Sequence, residues 1–323
     1  KYNKRMSISS LNYIKKILIT LFFFSVVSCH EKVVKNDKSV IERFEKQFYN
    51  SNKEQLNELK NKYPYFFPKS FPDSVWINRL NDPIQQEIFH EIQKNYQSVE
   101  FLEIELIKFF KKNIDIDANF IEPKIITVNT DVDYRNKIIL ADSLLLIGLD
   151  NYLGSNHPFY DGIPLYIKED LTSSNILSDI AEQFAINIVP RTEYYTFLDK
   201  IIYYGKILHY KDYSLDIEDR FKIGYSDDKM KWANENEYFV WTYFIENNIL
   251  FNPDNNLINQ FIKDGPFSRF YLEIDNDSSE MIGKYIGWQI VKSYMTNNDV
   301  SLTQMLKNSP SEIYNNSKYK PKK

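Results

Sequence analysis

The chain has 323 residues, of which 43% are apolar, 26% charged and 16% aromatic, and its formal charge is −4. That composition supports a sizeable core and excludes a disordered chain. Its 8 glycines form neither GxxxxGK[ST] nor GxGxxG, which excludes phosphate-cradling loops of those kinds, and the acidic balance disfavours nucleic acid as a partner, since phosphate binding needs a basic face.

The charge is unevenly placed. Residues 1–28 carry five Lys or Arg and no acid, so the remainder holds 35 bases against 44 acids, a formal −9. Arg5, Lys15 and Lys16 precede an apolar run, Ile17–Val27, of about eleven residues, where a membrane-spanning helix needs about twenty. A positive flank before a short apolar stretch is the layout of a secretory signal. The run ends in Val26-Val27-Ser28-Cys29, and Cys29 is the chain's single cysteine. Small or β-branched residues before a lone Cys fit a bacterial lipoprotein signal, in which the thiol is acylated and the chain is cut just before it. Residues 1–28 are therefore expected to be a signal peptide, 29–38 a lipidated Cys29 (palmitate among its acyl chains) with a short polar tether, and 39–323 one globular domain. At about 0.8 kcal/mol per buried CH₂, several acyl chains give durable membrane attachment. His30, rather than Asp, follows Cys29, which tilts the expected location toward the outer membrane.

From there the chain reads as follows. Residues 39–61 predict two short helices, with Ile41, Phe44, Phe48, Leu56 and Leu59 at helical spacing. Pro64, Pro68 and Pro72 interrupt an aromatic stretch expected to pack on the body. A helix capped by Asp73 or Ser74 carries Val75, Trp76 and Leu80. Pro83 opens the longest predicted helix, about 84–111, with Ile88, Ile92, Val99, Leu102, Leu106 and Phe109 on one face. The period then shortens: strands are expected near 124–128, 137–141 and 143–149, with "IPLYI" (163–167) as a fourth. Helices return over "SSNILSDIAEQFAINIVP", "EYYTFLDKIIYYGKILHY", "SDDKMKWANENEYFVWTYFIEN", "SEMIGKYIGWQIVKSYM" and "SLTQMLKN". The expected class is α+β: mostly helical, with one small sheet in the middle of the chain.

No intact catalytic motif appears. "HEIQK" (90–94) is half of HExxH, but Lys94 stands where the second zinc ligand belongs. His157 and His209 stand apart from it, one in a loop and one at a helix end. In "AEQFA" (181–185), a helix just after the sheet, Ala181 and Ala185 occupy both ligand positions and only Glu182 remains. An alanine has no donor atom, so a degenerate zinc-peptidase-like fold is an alternative reading. An amphipathic helix with small residues on the core is the simpler one. GxSxG is absent, and neither a cofactor nor a metal is expected. The Tyr- and Trp-rich helices read either as core with an amphipathic rim or as a protein-binding surface.

Several stretches taken together resemble the gliding-motility lipoprotein family GldB of Bacteroidetes: "PDSVWINRLNDPIQQEIF", "LLIGLDNYLG" with "HPFY", "KIIYYGKILHY", "IGYSDDKMKWANENEYFVWTYFIENNILF", "DGPFSRF", "IGKYIGWQIVKSYM" and "SKYKP". The resemblance covers nearly all of the chain after Cys29. It implies a membrane-anchored, non-enzymatic envelope component of gliding and of the associated protein-secretion machinery, with other envelope proteins as partners and no catalytic residues to transfer. Polar and aromatic residues inside the resembling segments suggest a partner or ligand cleft built from Asp150, Tyr152, Tyr160, Tyr204, Lys206, Glu237 and Trp241.

Overall fold

The computed structural model describes residues 40–191 and 195–321. Cys29, the expected signal peptide and the tether lie outside the described residues. Val40–Lys323 form a unit of their own, mostly helical with one small mixed sheet, as the α+β reading expected.

Four strands make that sheet: β1 (Ile41–Arg43), β2 (Lys124–Val128), β3 (Ile138–Ala141) and β4 (Leu144–Gly148). Their order is β1-β2-β4-β3. β1, β2 and β4 run parallel, while β3 is antiparallel to β4. The β3–β4 turn is tight because Asp142 adopts φ 45°, a left-handed conformation that a short polar side chain tolerates. β1 corrects the sequence reading twice. It occupies the start of the segment expected to be wholly helical, with Ile41 opposite Ile125, and it is the fourth strand in place of 163–167.

Helices α1 (Phe44–Tyr49), α2 (Leu56–Lys62) and α3 (Asp73–Asn81) surround a satellite core of Phe48, Tyr63, Phe67 and Leu80 against Ile126 of β2. The Pro-rich aromatic stretch thus packs on the body. The single long helix expected at 84–111 is in fact two, α4 (Pro83–Asn95) and α5 (Glu100–Ile116). Asp82 caps the first by accepting from the amides of Ile84 (2.8 Å) and Gln85 (3.2 Å). Tyr96 breaks the run. It turns inward, its hydroxyl donates to Tyr152 O at 2.5 Å, and its own carbonyl accepts from Arg43 at 3.0 Å. Apolar spacing resumes at Val99 on a new axis, so periodicity alone could not reveal the break.

Pro164 leads into a one-turn helix, α6 (Leu165–Lys168), whose Leu165 is exposed; "IPLYI" has no sheet neighbour and does not form a strand. Then come α7 (Ile176–Ile188), α8 (Phe197–Ser214), α9 (Asp219–Ile223), α10 (Asp227–Glu246), α11 (Asn256–Phe261), α12 (Ile282–Asn297), α13 (Leu302–Lys307) and α14 (Pro310–Ser317). A capping box starts α8: Thr196 Oγ1 accepts from Asp199 N, and Asp199 Oδ2 accepts from Thr196 N.

α8 and α12 form the centre of the main core. Glycine lets their backbones touch: an ideal Cβ on Gly287 would lie 1.8 Å from the Ile201 carbonyl oxygen, and one on Gly205 2.3 Å from that of Gly287. Beside this contact, Trp288 is fully buried and donates Nε1–H to Asp212 at 2.7 Å.

Candidate functional site

The AEQFA stretch lies on α7. Ala181 and Ala185 are fully buried against the core. Glu182, its side chain 36% exposed, opens with Ser178 and Asp179 into a cleft of about 430 Å³. The other walls are Lys137 and the first residue of β3, Ile138, then Asp170, Gly224 just past α9, Glu280 and Met281 just before α12, and Lys284 in its first turn.

Charges dominate this cleft. Lys211 projects from the buried stripe of α8, and its side chain is 2% exposed. Its ammonium donates to Glu182 Oε2 (2.7 Å), Ser178 Oγ (3.1 Å) and Lys222 O (2.9 Å), which uses all three of its protons. Burial pushes the Glu182 carboxyl up, but Lys211, Lys284 and Lys137 outweigh it and hold the group down at about 2. Lys137 pairs with Asp179 Oδ2 at 2.7 Å, and the Tyr152 hydroxyl donates to the same oxygen at 2.8 Å.

Asp170 behaves in the opposite way. Burial pushes its carboxyl up to about 7; Lys137 pulls it down, while Asp179, Asp264 and Glu280 add to the rise. Asn175 Nδ2 fixes it, donating to Oδ1 at 2.9 Å. Gly224, at φ 81°, closes α9 beside it, and an ideal Cβ there would come within 3.1 Å of Asp170 Oδ2. One small space therefore holds one carboxylate kept charged and another that resists charge.

The seven residues singled out from sequence fall in four places. Asp150, Tyr152 and Tyr160 do come together, as a buried staple rather than an open site. Asp150 accepts from the amides of Thr130 (3.0 Å) and Val132 (2.6 Å), which hold Asp131 and Val132 in left-handed conformations. Burial still pushes its carboxyl up to about 6, against the bonds from Val132 and Thr130. The Tyr160 hydroxyl donates to Asp150 O and accepts from Leu153 N. Tyr152 reaches the cleft through Asp179.

Tyr204 is not part of the cleft lining; it meets the cleft residue Lys284, whose Nζ lies 5.0 Å from its ring centre. Lys206 ties α8 to the end of α13, donating to Leu306 O (3.0 Å) and Asn308 O (2.6 Å), and burial pulls its ammonium down to about 8. Glu237 and Trp241 hold the C-terminal segment: Tyr319 donates to Glu237 Oε1 at 2.7 Å and meets the Trp241 ring edge-on at 4.9 Å. The histidines are scattered. His90 is exposed, His157 lies 3.4 Å from Glu91, and His209 lies 3.4 Å from Asp212. Among the described residues no three His, Cys, Asp or Glu are grouped to hold a metal ion, and no helix is long and apolar enough to cross a membrane.

Sequence reasoning flagged Glu182 but missed Lys137, Asp170, Asp179, Lys211, Glu280 and Lys284. One signal was present: Lys211 sits four residues after Ile207 and four before Leu215, a charge on an otherwise apolar helical stripe. Asp179 shares α7 with Glu182, while Lys137, Asp170 and the pair Glu280 and Lys284 come from three other stretches that only the fold brings together.

A family model described as "Gliding motility protein GldB" matches residues 29–321. No curated protein and no solved structure matches the chain.

Proposed function

Because the chain belongs to the GldB family of gliding motility proteins, we propose that it serves gliding, and the protein secretion associated with it, as an envelope lipoprotein that works by binding other proteins rather than by catalysis. The observation that carries this reading is where the family match begins, at Cys29 itself, the cysteine that ends the basic and apolar leader. In this account residues 1–28 are removed, Cys29 carries the acyl chains, residues 30–38 tether, and the body faces the periplasm. The occupants of the HExxH ligand positions support a non-catalytic role, since Ala181 and Ala185 offer no donor atoms. So does Glu182, which is held ionised by Lys211 instead of standing free as a base.

A Cys29→Ser variant tests it. The expected outcome is loss of labelled palmitate, loss from the membrane fraction and non-spreading colonies. Normal fractionation with full spreading would overturn the anchored role. A peptidase-like hydrolase is the second reading, favoured by the placement of Glu182 in the charged cleft. Stoichiometric zinc in the purified protein, with hydrolysis abolished by chelation, would favour it over the first.

A further inference from the structure

β3 is the outer strand of the sheet on its side, with β4 as its partner among the described residues. Gly148 N donates to Lys137 O at 2.8 Å. Bonded pairs alternate along an antiparallel ladder, so residues 137, 139 and 141 turn their main-chain groups toward β4, and Ile138 and Leu140 turn theirs outward. The outward amides and carbonyls take no hydrogen bond within the described chain. An unpaired edge of this kind is a template for another strand. The first residue of β3, Ile138, and the preceding Lys137 form one wall of the charged cleft.

Five cations and five carboxylates line the cleft, with Arg135 lying over the Tyr134 ring and Lys222 paired to Asp212 and Asp219, and Asp170 is a carboxylate left without an ion pair of its own. Asp179 meets Lys137 at 2.7 Å, Glu182 meets Lys211 at 2.7 Å, and Asp264 meets Lys284 at 3.6 Å. Glu280, its side chain 6% exposed, leaves Oε2 without a hydrogen bond, 3.4 Å from Lys229. Asp170 has no cationic nitrogen within 4.0 Å among the described residues; its carboxylate accepts from Asn175 alone. The volume, about 430 Å³, falls within the range of pockets that take a small ligand.

We propose that this cleft receives an extended peptide segment of a partner protein, which adds as a strand to the outer edge of β3 and places a lysine or arginine side chain against Asp170. Main-chain bonds to Ile138 and Leu140 supply affinity that is indifferent to sequence, and the carboxylate selects the basic residue. Such docking rests on the binding role proposed above and names its class of partner. Its test is read in detergent solution, where anchoring plays no part, so the two can fail separately.

The probes are fluorescein-labelled hexapeptides of alternating Val and Thr with a central Lys, Glu or Ala, titrated by anisotropy into the full-length protein. The Lys peptide is expected to bind, the Glu peptide to fail, and Asp170→Asn to weaken the Lys peptide by about tenfold, the loss of one charge-assisted contact. A Lys peptide N-methylated at alternate amides, which needs no altered protein, is expected to lose binding. Equal affinity in Asp170→Asn, undiminished binding of the N-methylated peptide, equal binding of lysine amide alone, or no binding of any peptide at millimolar concentration would each overturn the proposal.

Discussion

α8 and α12 do two different jobs along their length. At Gly205 and Gly287 they touch backbone to backbone, with no side chain between them. The same two helices also carry Lys211 and Lys284 into the cleft, where position is set by ion pairs and protons. The first contact depends on shape and is blind to pH. The second depends on which carboxyls are charged, and it has room for a third party. A rigid crossing close to an adjustable cluster lets the site change charge without loosening the body.

Breaking the crossing should have the largest effect. Gly287→Ala forces a methyl group onto the Ile201 carbonyl, and the helices must part; about 3 kcal/mol or more is expected, a fall in Tm of roughly 10 °C by circular dichroism. An unchanged melt would show that the two helices are free to separate. Lys211→Met comes next. It strands a partly solvated Glu182 and removes three hydrogen bonds, at about 2 kcal/mol after allowance for solvent around Glu182. In the same variant the Glu182 carboxyl should climb from about 2 toward the ordinary carboxylate range, observable by NMR titration. Adding Glu182→Gln should recover part of the loss.

The pH dependence of stability sharpens the comparison further. Asp170 is raised in the fold, so the native state binds the extra proton and stability falls as pH climbs from about 4 to about 7. Asp170→Asn should therefore exceed the parent by on the order of 1 kcal/mol above pH 7 and converge with it near pH 4. Glu182 is lowered, so its contribution is present above its unfolded value of 4.5 and is lost as pH falls toward 2. Glu182→Gln should be the weaker protein above pH 4.5 and converge with the parent in acid. Urea midpoints across pH would show the two curves diverging in opposite directions; parallel curves would refute the assignment. Smallest of all, His90→Ala on the solvent face of α4 should change stability by less than about 0.5 kcal/mol.

How much of this the sequence disclosed depends on the range of the interactions. The strands 124–128, 138–141 and 144–148 were legible because short apolar runs end at local breaks such as Asp142. The helix starts at Pro83 and Ser226 were equally local. The break at Tyr96 was not, since it exists to satisfy a bond to Tyr152, 56 residues away. Nor was β1, three residues that are a strand only because β2 lies beside them. The site obeys the same rule. AEQFA marked α7, but Asp170 and Glu280 carry no pattern of their own until the fold sets them near Lys137 and Lys229. The polar residues picked from recognisable segments lie apart from this cleft: Asp150, Lys206 and Glu237 serve as internal fasteners.

The position of β1 has a mechanical consequence. Residues that precede it join the body at Ile41, so tension arriving from that side meets the sheet at its shortest strand. Three attachments spread the load: Ile41 N donates to Glu103 of α5 at 3.1 Å, Arg43 donates to the Tyr96 carbonyl at 3.0 Å, and the buried Glu45 accepts from Thr127 of β2 at 2.6 Å. These three bonds and the pairing of β1 with β2 fasten the short strand to the body at separate places. A three-residue strand braced in this way works like a cleat on a rope, a useful trait in a protein whose family moves cells.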